Sequence, residues 1–376
     1  MNKLVFTFLF TITLFVLTAG IFTTDISASF RFVAWADTRG NNSVLSRLSN
    51  QVRGMNTQPA LTIYPGDLIP TNSSLTVLQR FQNWQTALDG GNNNGMSNKT
   101  FASRGNHDLP DTVTWVSFFQ FGPLSDPNSV AAKVGVTNYQ VLNDDLTYSF
   151  DYQNSHFIAV DGTGNANTIT AAQIAWMNQD LTAASCRGIK HAFLFWHGPI
   201  YTVNGHMSSL PTALVMMLND QPILTATFHG HEHVLAHTTM DHTRASQLTN
   251  LVFEQFVSGG AGAGFYSCTA GRSDFCDTVY GFVVIDVLSD TQIKAGFYKD
   301  GQTTPIIPEQ TYTKGAVPIP ASCGSPAPTS TPGQTFTVAE LKSLLTRYLG
   351  IQDPRFWPLD GKINMMDAGF VIPKVL

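Results

Sequence analysis

Short apolar segments recur along the first two thirds of the chain and predict β-strands. The five that matter most for function cover residues 32–35, 61–64, 101–103, 192–196 and 223–228. Residues 168–184 instead predict a helix, because Ile174, Trp176, Met177 and Leu181 recur at helical spacing. Residues 148–152 with 156–160, and 281–287 with 292–298, predict paired strands. The pattern therefore predicts an α/β fold.

Polar residues that bind metals follow each of the five strands. They are Asp37, Asp67, Asn106 with His107, His197, and the run from Gly230 to His233. In open α/β sheets, ligands bind beyond the carboxyl ends of the strands, so five such turns can converge on one crevice. This placement predicts an active site.

The types of these residues indicate which ions they would bind. Carboxylates, imidazoles and an amide oxygen together suit Zn, Mn or Fe, and they suit Ca poorly. Six ligands are too many for one tetrahedral zinc ion, whereas two ions sharing a bridging carboxylate would use them all. Such a pair, roughly 3.5–4 Å apart, is typical of phosphoryl chemistry.

Five motifs in order carry a resemblance to the calcineurin-like metallophosphoesterases, the superfamily that includes the purple acid phosphatases. They are Ala36-Asp37-Thr38-Arg39, Gly66-Asp67, Gly105-Asn106-His107-Asp108, His197-Gly198-Pro199 and Gly230-His231-Glu232-His233. The resemblance covers roughly residues 30–310. It implies a four-layer α/β/β/α sandwich.

The resemblance also implies a role for each site residue. Two divalent or trivalent ions (Fe, Mn or Zn) are expected, with ligands distributed as follows: Asp37 and His233 on the first ion, Asn106, His197 and His231 on the second, and Asp67 bridging them. Metal-bound hydroxide would attack phosphorus, and His107 would protonate or stabilise the leaving oxygen. Asp108 would keep His107 oriented and cationic.

Arg39 departs from the family pattern. Many members have a histidine at this position, two residues after the first aspartate. Purple acid phosphatases lack it but have a tyrosine three residues after the bridging aspartate, where this chain has Pro70. Arginine forms a charged fork suited to phosphate, so Arg39 is expected to bind substrate. The first site would then be completed by water, prefer a different metal or be left empty in a mononuclear enzyme.

The other histidines carry weaker expectations. His156 and His191 adjoin apolar runs, which favours a place in the core or at a strand edge. His229 is expected to support a neighbouring ligand, and His206 lies in a loop that could reach the pocket. The glycine-rich residues 258–264 read more readily as a turn than as a phosphate cradle, since no Gly-Lys-Ser/Thr follows.

Composition limits the class of partner. The 376 residues suit one large α/β domain with an appendage. Charged residues make up only 12%, and the net charge of −5 comes without a basic run. Because binding of a nucleic-acid backbone needs clustered Lys and Arg, nucleic acid is excluded as the expected partner. A small phosphorylated substrate is favoured.

The amino terminus predicts export. Lys3 precedes an apolar stretch over residues 4–21, and Ser27-Ala28-Ser29 follows, so residues 1–29 resemble a signal peptide; an uncleaved membrane anchor is the alternative. Cys268 and Cys276 are spaced for a local disulfide, which leaves Cys186 and Cys323 to pair. Sequence alone allows three connectivities, or free thiols. The predicted location is extracytoplasmic, either secreted or surface-anchored.

The carboxy-terminal part is expected to be a separate module. Residues 311–335 predict a Pro/Ser/Thr-rich linker. Residues 336–376 resemble a degenerate dockerin-like helical module, in which Phe356 and Pro358 replace oxygen ligands, and this argues against calcium binding. Such a module would serve as an attachment to a cell-surface or protein partner.

The function that these residues predict is hydrolysis of phosphate monoesters by a secreted metal-dependent enzyme. Cyclic nucleotides or other phosphodiesters are the alternative substrates. If the missing first-site ligand abolishes catalysis, the domain would instead be a surface-displayed binding protein.

Overall fold

A computed structural model describes residues 29–91, 95–109, 111–142, 146–162, 168–206, 212–317 and 323. The predicted signal peptide and carboxy-terminal module lie outside the described residues, as does most of the linker. Within the described ranges, no helix has the length and apolarity needed to cross a membrane.

Two sheets form the centre of the fold. The strands of the first are β1 (Phe30–Ala34), β2 (Leu61–Pro65), β3 (Thr100–Ser103), β12 (Gly281–Val287), β13 (Gln292–Lys299) and β14 (Gln310–Thr313). Their spatial order is β14-β13-β12-β1-β2-β3. The pairs β1–β2 and β2–β3 are parallel, whereas β12 runs antiparallel to β1.

The second sheet has eight strands. They are β4 (Thr137–Leu142), β5 (Thr147–Tyr152), β6 (Ser155–Ala159), β7 (His191–Phe195), β8 (Leu224–His229), β9 (Leu235–Met240), β10 (Phe253–Ser258) and β11 (Phe275–Asp277). Their spatial order is β11-β9-β10-β8-β7-β6-β5-β4, and β6, β7, β8 and β10 are mutually parallel.

Helices cover the outer faces of the two sheets. They are α1 (Asn42–Arg53), α2 (Val77–Leu88), α3 (Thr112–Phe118), α4 (Val130–Val134), α5 (Ala171–Cys186) and α6 (Thr212–Asn219), with a 3-10 turn at Ser97–Lys99. Thr76 and Thr170 begin α2 and α5 with capping boxes, in which a glutamine three residues later bonds back to the cap. The predicted helix 168–184 is thus confirmed, shifted to start after Thr170.

Phenylalanines fill the interface between the sheets. The Phe32 ring of β1 lies 5.3 Å from Phe157, 5.0 Å from Phe193 and 5.4 Å from Phe228, all on the second sheet. This explains where many of the 26 phenylalanines of the chain are used. Their tilted and edge-to-face contacts bind one sheet to the other.

Separate apolar contacts fix the outer layers. Trp84 of α2 packs edge-on against Tyr64 of β2 at 5.2 Å, which covers the first sheet. On the second sheet, Met177 and Leu181 of α5 are fully buried in a cluster with Leu194 of β7. Helices therefore lie outside both sheets, and the expected four-layer sandwich is confirmed.

Disulfides join the two predicted cysteine pairs. Cys268 bonds to Cys276, and Cys186, at the end of α5, bonds to Cys323. Two disulfides are compatible with an oxidising compartment.

The predicted hairpin at residues 281–298 is formed by β12 and β13. The next strand, β14, extends three residues into the predicted linker.

Candidate metal centre

The five predicted turns meet at one edge of the sandwich. Asp37, Asp67 and Asn106 follow the parallel strands β1, β2 and β3, and His197 and His231 follow the parallel strands β7 and β8. Because parallel strands have their carboxyl ends on the same side, each sheet delivers its polar side chains to this edge.

Asp37, Asp67 and His233 form the first group of potential ligands. One ligand atom from each lies within 4.8 Å of the others. Nε2 of His233 is 3.5 Å from Oδ1 of Asp37. These are the three residues expected at the first ion, including the bridging carboxylate.

A second group adjoins the first across Asp67. Nε2 of His197 lies 3.4 Å from Oδ1 of Asp67 and 3.8 Å from Oδ1 of Asp37. Nδ1 of His231 lies 3.0 Å from Oδ1 of Asn106, and the His197 and His231 rings are 5.1 Å apart. The structure therefore places Asp67 between the two groups, where a bridging ligand is required.

Unsatisfied polar atoms show that this arrangement fits metal ions. Asp37 and His197 are fully buried, yet Oδ1 of Asp37 and Nε2 of His197 have no hydrogen-bond partner. An uncompensated buried carboxylate oxygen is costly, and a cation would offset that cost.

Hydrogen bonds from the opposite ring nitrogens orient two of the imidazoles. Nδ1 of His197 donates to the carbonyl oxygen of Pro65 at 2.9 Å, and Nδ1 of His233 donates to that of Gly264 at 2.6 Å. Each bond holds a proton on Nδ1 and directs Nε2 at the site, as metal-ligating histidines require.

The electrostatics of the site favour binding of cations. Burial lowers the pKa of His231 to about 3 and that of His233 to about 4, so both rings are uncharged at neutral pH. Burial raises the pKa of Asp37 well above its usual range. Burial also opposes the charging of His197, but Asp67 and Asp37 outweigh it and raise its pKa to about 9. The carboxylates thus draw positive charge to the centre.

Several residues of the site have a backbone conformation that residues other than glycine rarely adopt. Five of the seven non-glycine residues with positive φ among the described residues are here: Asp37 at 64°, Arg39 at 47°, Asp67 at 56°, His231 at 66° and His233 at 48°. Each such residue costs about 1–3 kcal/mol and persists only where surrounding contacts enforce it. Bonds between the turns do so, such as Arg39 N to the carbonyl oxygen of Asp67 at 3.1 Å.

Glycines allow the turns to approach one another. A Cβ placed on Gly105 would lie 2.2 Å from Oδ1 of Asp67, and one on Gly230 would lie 2.4 Å from Oδ2 of Asp37. No side chain fits at such distances. The glycines of both motifs are therefore required by the packing of the carboxylates.

We expect Gly105→Ala to lower the free energy of unfolding by about 1–3 kcal/mol, as overpacking does, and to reduce metal content because the methyl group displaces Asp67. Thermal unfolding and elemental analysis of the purified variant measure both effects. Gly315→Ala, at a glycine with nothing within 4 Å of the added Cβ, is the matched control. Normal metal content in Gly105→Ala would show that Asp67 does not depend on this contact.

Asp108 differs from its expected role. Its buried carboxylate accepts hydrogen bonds from the backbone amides of Leu68 at 3.1 Å, Ile69 at 3.2 Å and Gly105 at 2.9 Å, and none from His107. The hydroxyl of Thr71 pairs with Nδ1 of His107 instead. Asp108 thus binds the turn of Asp67 to the turn of Asn106, and Thr71 orients His107.

Arg39 lies inside the site. Its Nη1 donates to Nε2 of His233 at 3.3 Å, the same nitrogen that would bind the first ion. A metal ion at that nitrogen would require the guanidinium to turn away from the ring. Arg39 therefore stands at the edge of the first group.

Two aromatic residues flank the ligand imidazoles. The His206 ring lies 5.0 Å from that of His231, which confirms that its loop reaches the site. Tyr266 stacks on His206 at 4.3 Å and on His233 at 4.6 Å. Sequence reasoning did not single out Tyr266, since no motif surrounds it.

Glu232 was also missed, although it lies between the two histidines of its motif. Its carboxylate is buried and accepts from the backbone amide of Val203 at 2.7 Å and from the hydroxyl of Thr202. It therefore holds the loop that carries His206. The alternation of the motif, with two residues facing the metals and one facing away, was a signal that could have identified it.

Three further histidines are structural. His156 and His191 are fully buried in β6 and β7. His229 is buried at the end of β8, and its Nδ1 donates to the carbonyl oxygen of Trp196, directly before His197. The expectations for these three residues agree with these positions.

Comparison with known families gives one match. The family model of the calcineurin-like phosphoesterases matches residues 24–235, more than half of the chain. No curated protein compared with the chain matches it in sequence.

Solved structures show the same fold. A purple acid phosphatase, PPD1, from yellow lupin (Lupinus luteus) seeds superposes with a TM-score of 0.54 at 14% identity, over 76% of this chain and 54% of that one. GAP50, the anchor in the inner membrane complex of Plasmodium, superposes with a TM-score of 0.50 at 15% identity, over 77% of this chain and 89% of that one. The chain thus spans about half the length of the lupin protein.

Family membership implies a dinuclear metal centre, which agrees with the two groups of ligands that share Asp67. The motifs, the converging turns and the family match lead to the same result. The chain belongs to the calcineurin-like phosphoesterase family.

Proposed function

We propose that the enzyme hydrolyses phosphate monoesters, with Arg39 binding the phosphoryl group. The observation that supports this most directly is the position of the Arg39 guanidinium, 3.3 Å from Nε2 of His233. A monoester presents three non-bridging oxygens and up to two negative charges, whereas a diester presents two oxygens and one charge. A permanent cation with several donors beside the metal ligands favours the more highly charged ester.

The metal ions, when bound, would activate water and neutralise charge on the phosphoryl oxygens. His107 would donate to the leaving oxygen. The Thr71 hydroxyl pairs with Nδ1 of His107, and Nε2 of His107 lies 3.9 Å from Oδ2 of Asp67, beside both ligand groups. Its side chain remains 15% exposed, so a substrate can reach it. His107 can thus donate a proton or a hydrogen bond to an alkoxide as it departs.

We expect Arg39→Gln to lower kcat/KM for phenyl phosphate by about 10- to 100-fold. This ratio corresponds to the free energy of one charge-assisted hydrogen bond. The decrease in kcat/KM for the diester, diphenyl phosphate, should be several-fold smaller. Steady-state assays on both esters, with equal metal loading, measure the difference. Arg53→Gln, at an exposed position on α1, is the matched control.

Two results would contradict this assignment. If the wild type prefers the diester, the enzyme is a phosphodiesterase. If Arg39→Gln affects both esters equally, Arg39 does not select for charge. Arg39→His separates substrate binding from metal binding, because a gain in metal affinity in that variant would show that Arg39 stands where a ligand belongs.

We also propose that the enzyme acts outside the cytoplasm. The two disulfides support this, since such bonds persist in oxidising compartments. Attachment to a cell-surface partner through residues 336–376 stays a prediction.

A further inference from the structure

We propose that residues 264–276, which we call the clamp loop, position the histidine expected at the first metal ion. The disulfide between Cys268 and Cys276 lies within this loop. The loop fixes the orientation of His233 and thereby sets the affinity for the first ion. The inference rests on the ligand role of His233 and goes beyond the proposed function, because it does not depend on which ester the enzyme cleaves.

Two contacts from the clamp loop hold the His233 ring. Nδ1 of His233 donates to the carbonyl oxygen of Gly264 at 2.6 Å. The Tyr266 ring stacks on the His233 ring at 4.6 Å, with 17° between the two planes. A single hydrogen bond leaves an imidazole free to turn about the axis of that bond, and a stacked ring opposes this turn. Together the two contacts fix the direction of Nε2, the nitrogen that faces the site.

Tyr266 also reaches the second group of ligands, but only through another residue. Its ring stacks on His206 at 4.3 Å, and the His206 ring lies 5.0 Å from that of His231. Tyr266 thus contacts a first-group ligand directly and a second-group ligand through His206. Loss of the Tyr266 ring should therefore weaken binding of the first ion more than binding of the second.

The disulfide gives the clamp loop a fixed base beside the ligand motif. Both of its cysteines pack against one buried apolar cluster. The cluster consists of Val203, Val234, Ala236 and Val257. Val234 directly follows His233, and Cys276 of β11 pairs with Ala236 of β9. The bond therefore ties Cys268, two residues after Tyr266, to the strand that leaves the ligand motif.

Hydrogen bonds join the clamp loop to the loop that precedes α6. The amide of Thr269 donates to the carbonyl oxygen of Val203 at 3.2 Å, and Nε of Arg272 donates to that of Thr202 at 2.8 Å. The amide of Val203 and the hydroxyl of Thr202 in turn donate to the buried carboxylate of Glu232. The two loops therefore form one hydrogen-bonded unit that is anchored on the ligand motif itself.

Replacement of Tyr266 tests the ring contact. Tyr266→Leu should weaken binding of the first ion about tenfold, as loss of a group that orients a ligand does, and leave the second unchanged. Tyr266→Phe keeps the stacked ring and should bind both ions as the wild type does. Calorimetric titration of metal-free protein with Zn²⁺ measures the two affinities. His233→Ala shows which binding step belongs to the first ion.

Removal of each disulfide in turn tests the base of the clamp loop. Cys268→Ser/Cys276→Ser should also weaken the first ion about tenfold. Cys186→Ser/Cys323→Ser is the matched control, because Cys186 precedes β7, whose opposite end carries a metal ligand. This control should bind both ions normally. If the variant without the clamp-loop disulfide fails to fold, the comparison of the two Tyr266 variants decides alone.

Three results would overturn the inference. One is normal affinity for the first ion in Tyr266→Leu, with folding verified by circular dichroism. Another is equal weakening of both ions in that variant, which would indicate general loosening of the site. The third is normal binding of both ions by His233→Ala, which would remove the ligand role on which the inference rests. A preference of the wild type for diphenyl phosphate would overturn the proposed function alone.

Discussion

Asp67→Asn should lose bound metal and retain about one thousandth of the wild-type turnover. Asp67 is 1% exposed and lies between the two ligand groups, so its charge would act on both ions when they are bound. If the shared carboxylate supplies about 4 kcal/mol of charge stabilisation through the ions it holds, its loss corresponds to about a thousandfold in rate.

Asparagine is a suitable replacement because it preserves the shape of the side chain. The backbone amide of His107 donates to Oδ1 of Asp67 at 2.9 Å, and an amide oxygen can accept the same bond. The variant therefore removes charge and leaves the turn in place. Elemental analysis measures metal content independently of activity.

Asp220→Asn controls for the loss of one negative charge, since Asp220 is exposed at the end of α6. Thermal unfolding of both variants verifies that each is folded. Full occupancy of both metal positions in Asp67→Asn, with near-normal turnover, would show that the carboxylate is not the bridge.

His156→Leu should lower the free energy of unfolding by about 3–5 kcal/mol. His156 is fully buried, and its ring nitrogens lie 2.6 Å from Oδ1 of Asp151 and 2.9 Å from Oδ2 of Asp180. Arg187 donates to Asp151 from the other side at 2.8 Å. Removing the ring takes one partner from each of the two buried carboxylates, and removing one member is the costly way to break a buried ion pair.

The loss should depend on pH. Burial opposes the charging of His156, but the bonds to Asp151 and Asp180 outweigh it, so its pKa is raised from the usual 6.5. A raised pKa in the folded state means that the stabilisation is complete below about pH 6.5 and is lost as the pH rises through the folded-state pKa. Urea unfolding at pH 5.5 and at pH 9 should therefore show the larger difference between wild type and variant at pH 5.5.

His242→Leu is the control, because His242 is exposed. An equal loss at both pH values would indicate that the His156 ring is neutral in the folded protein and contributes only by packing.

The sequence predicted the parts of the site that follow directly from strands. Asp37, Asp67, Asn106, His197 and His231 each come a few residues after a buried apolar run, and parallel pairing brings those ends together. Alternation within a motif then places His233 beside His231. These positions are consequences of chain geometry, so a pattern of residue types is enough to find them.

Side-chain partners were less predictable. Asp108 follows His107 in sequence, yet its carboxylate turns to the amides of Leu68, Ile69 and Gly105. Those donors come from a different turn, and only the folded structure brings it within reach. Tyr266 stacks on His233 across 33 positions of the chain for the same reason. Contacts between turns depend on the packing of loops, which apolar periodicity does not encode.

The disulfide between Cys186 and Cys323 has a consequence for how the molecule faces its surroundings. Helix α5 connects the parallel strands β6 and β7, so its end at Cys186 lies at the edge of the sandwich away from the carboxyl ends of those strands. The bond fixes residue 323 at that edge, opposite the metal ligands. If the protein is held on a surface by residues beyond 323, the edge that carries the metal ligands will face away from that surface, toward dissolved substrate.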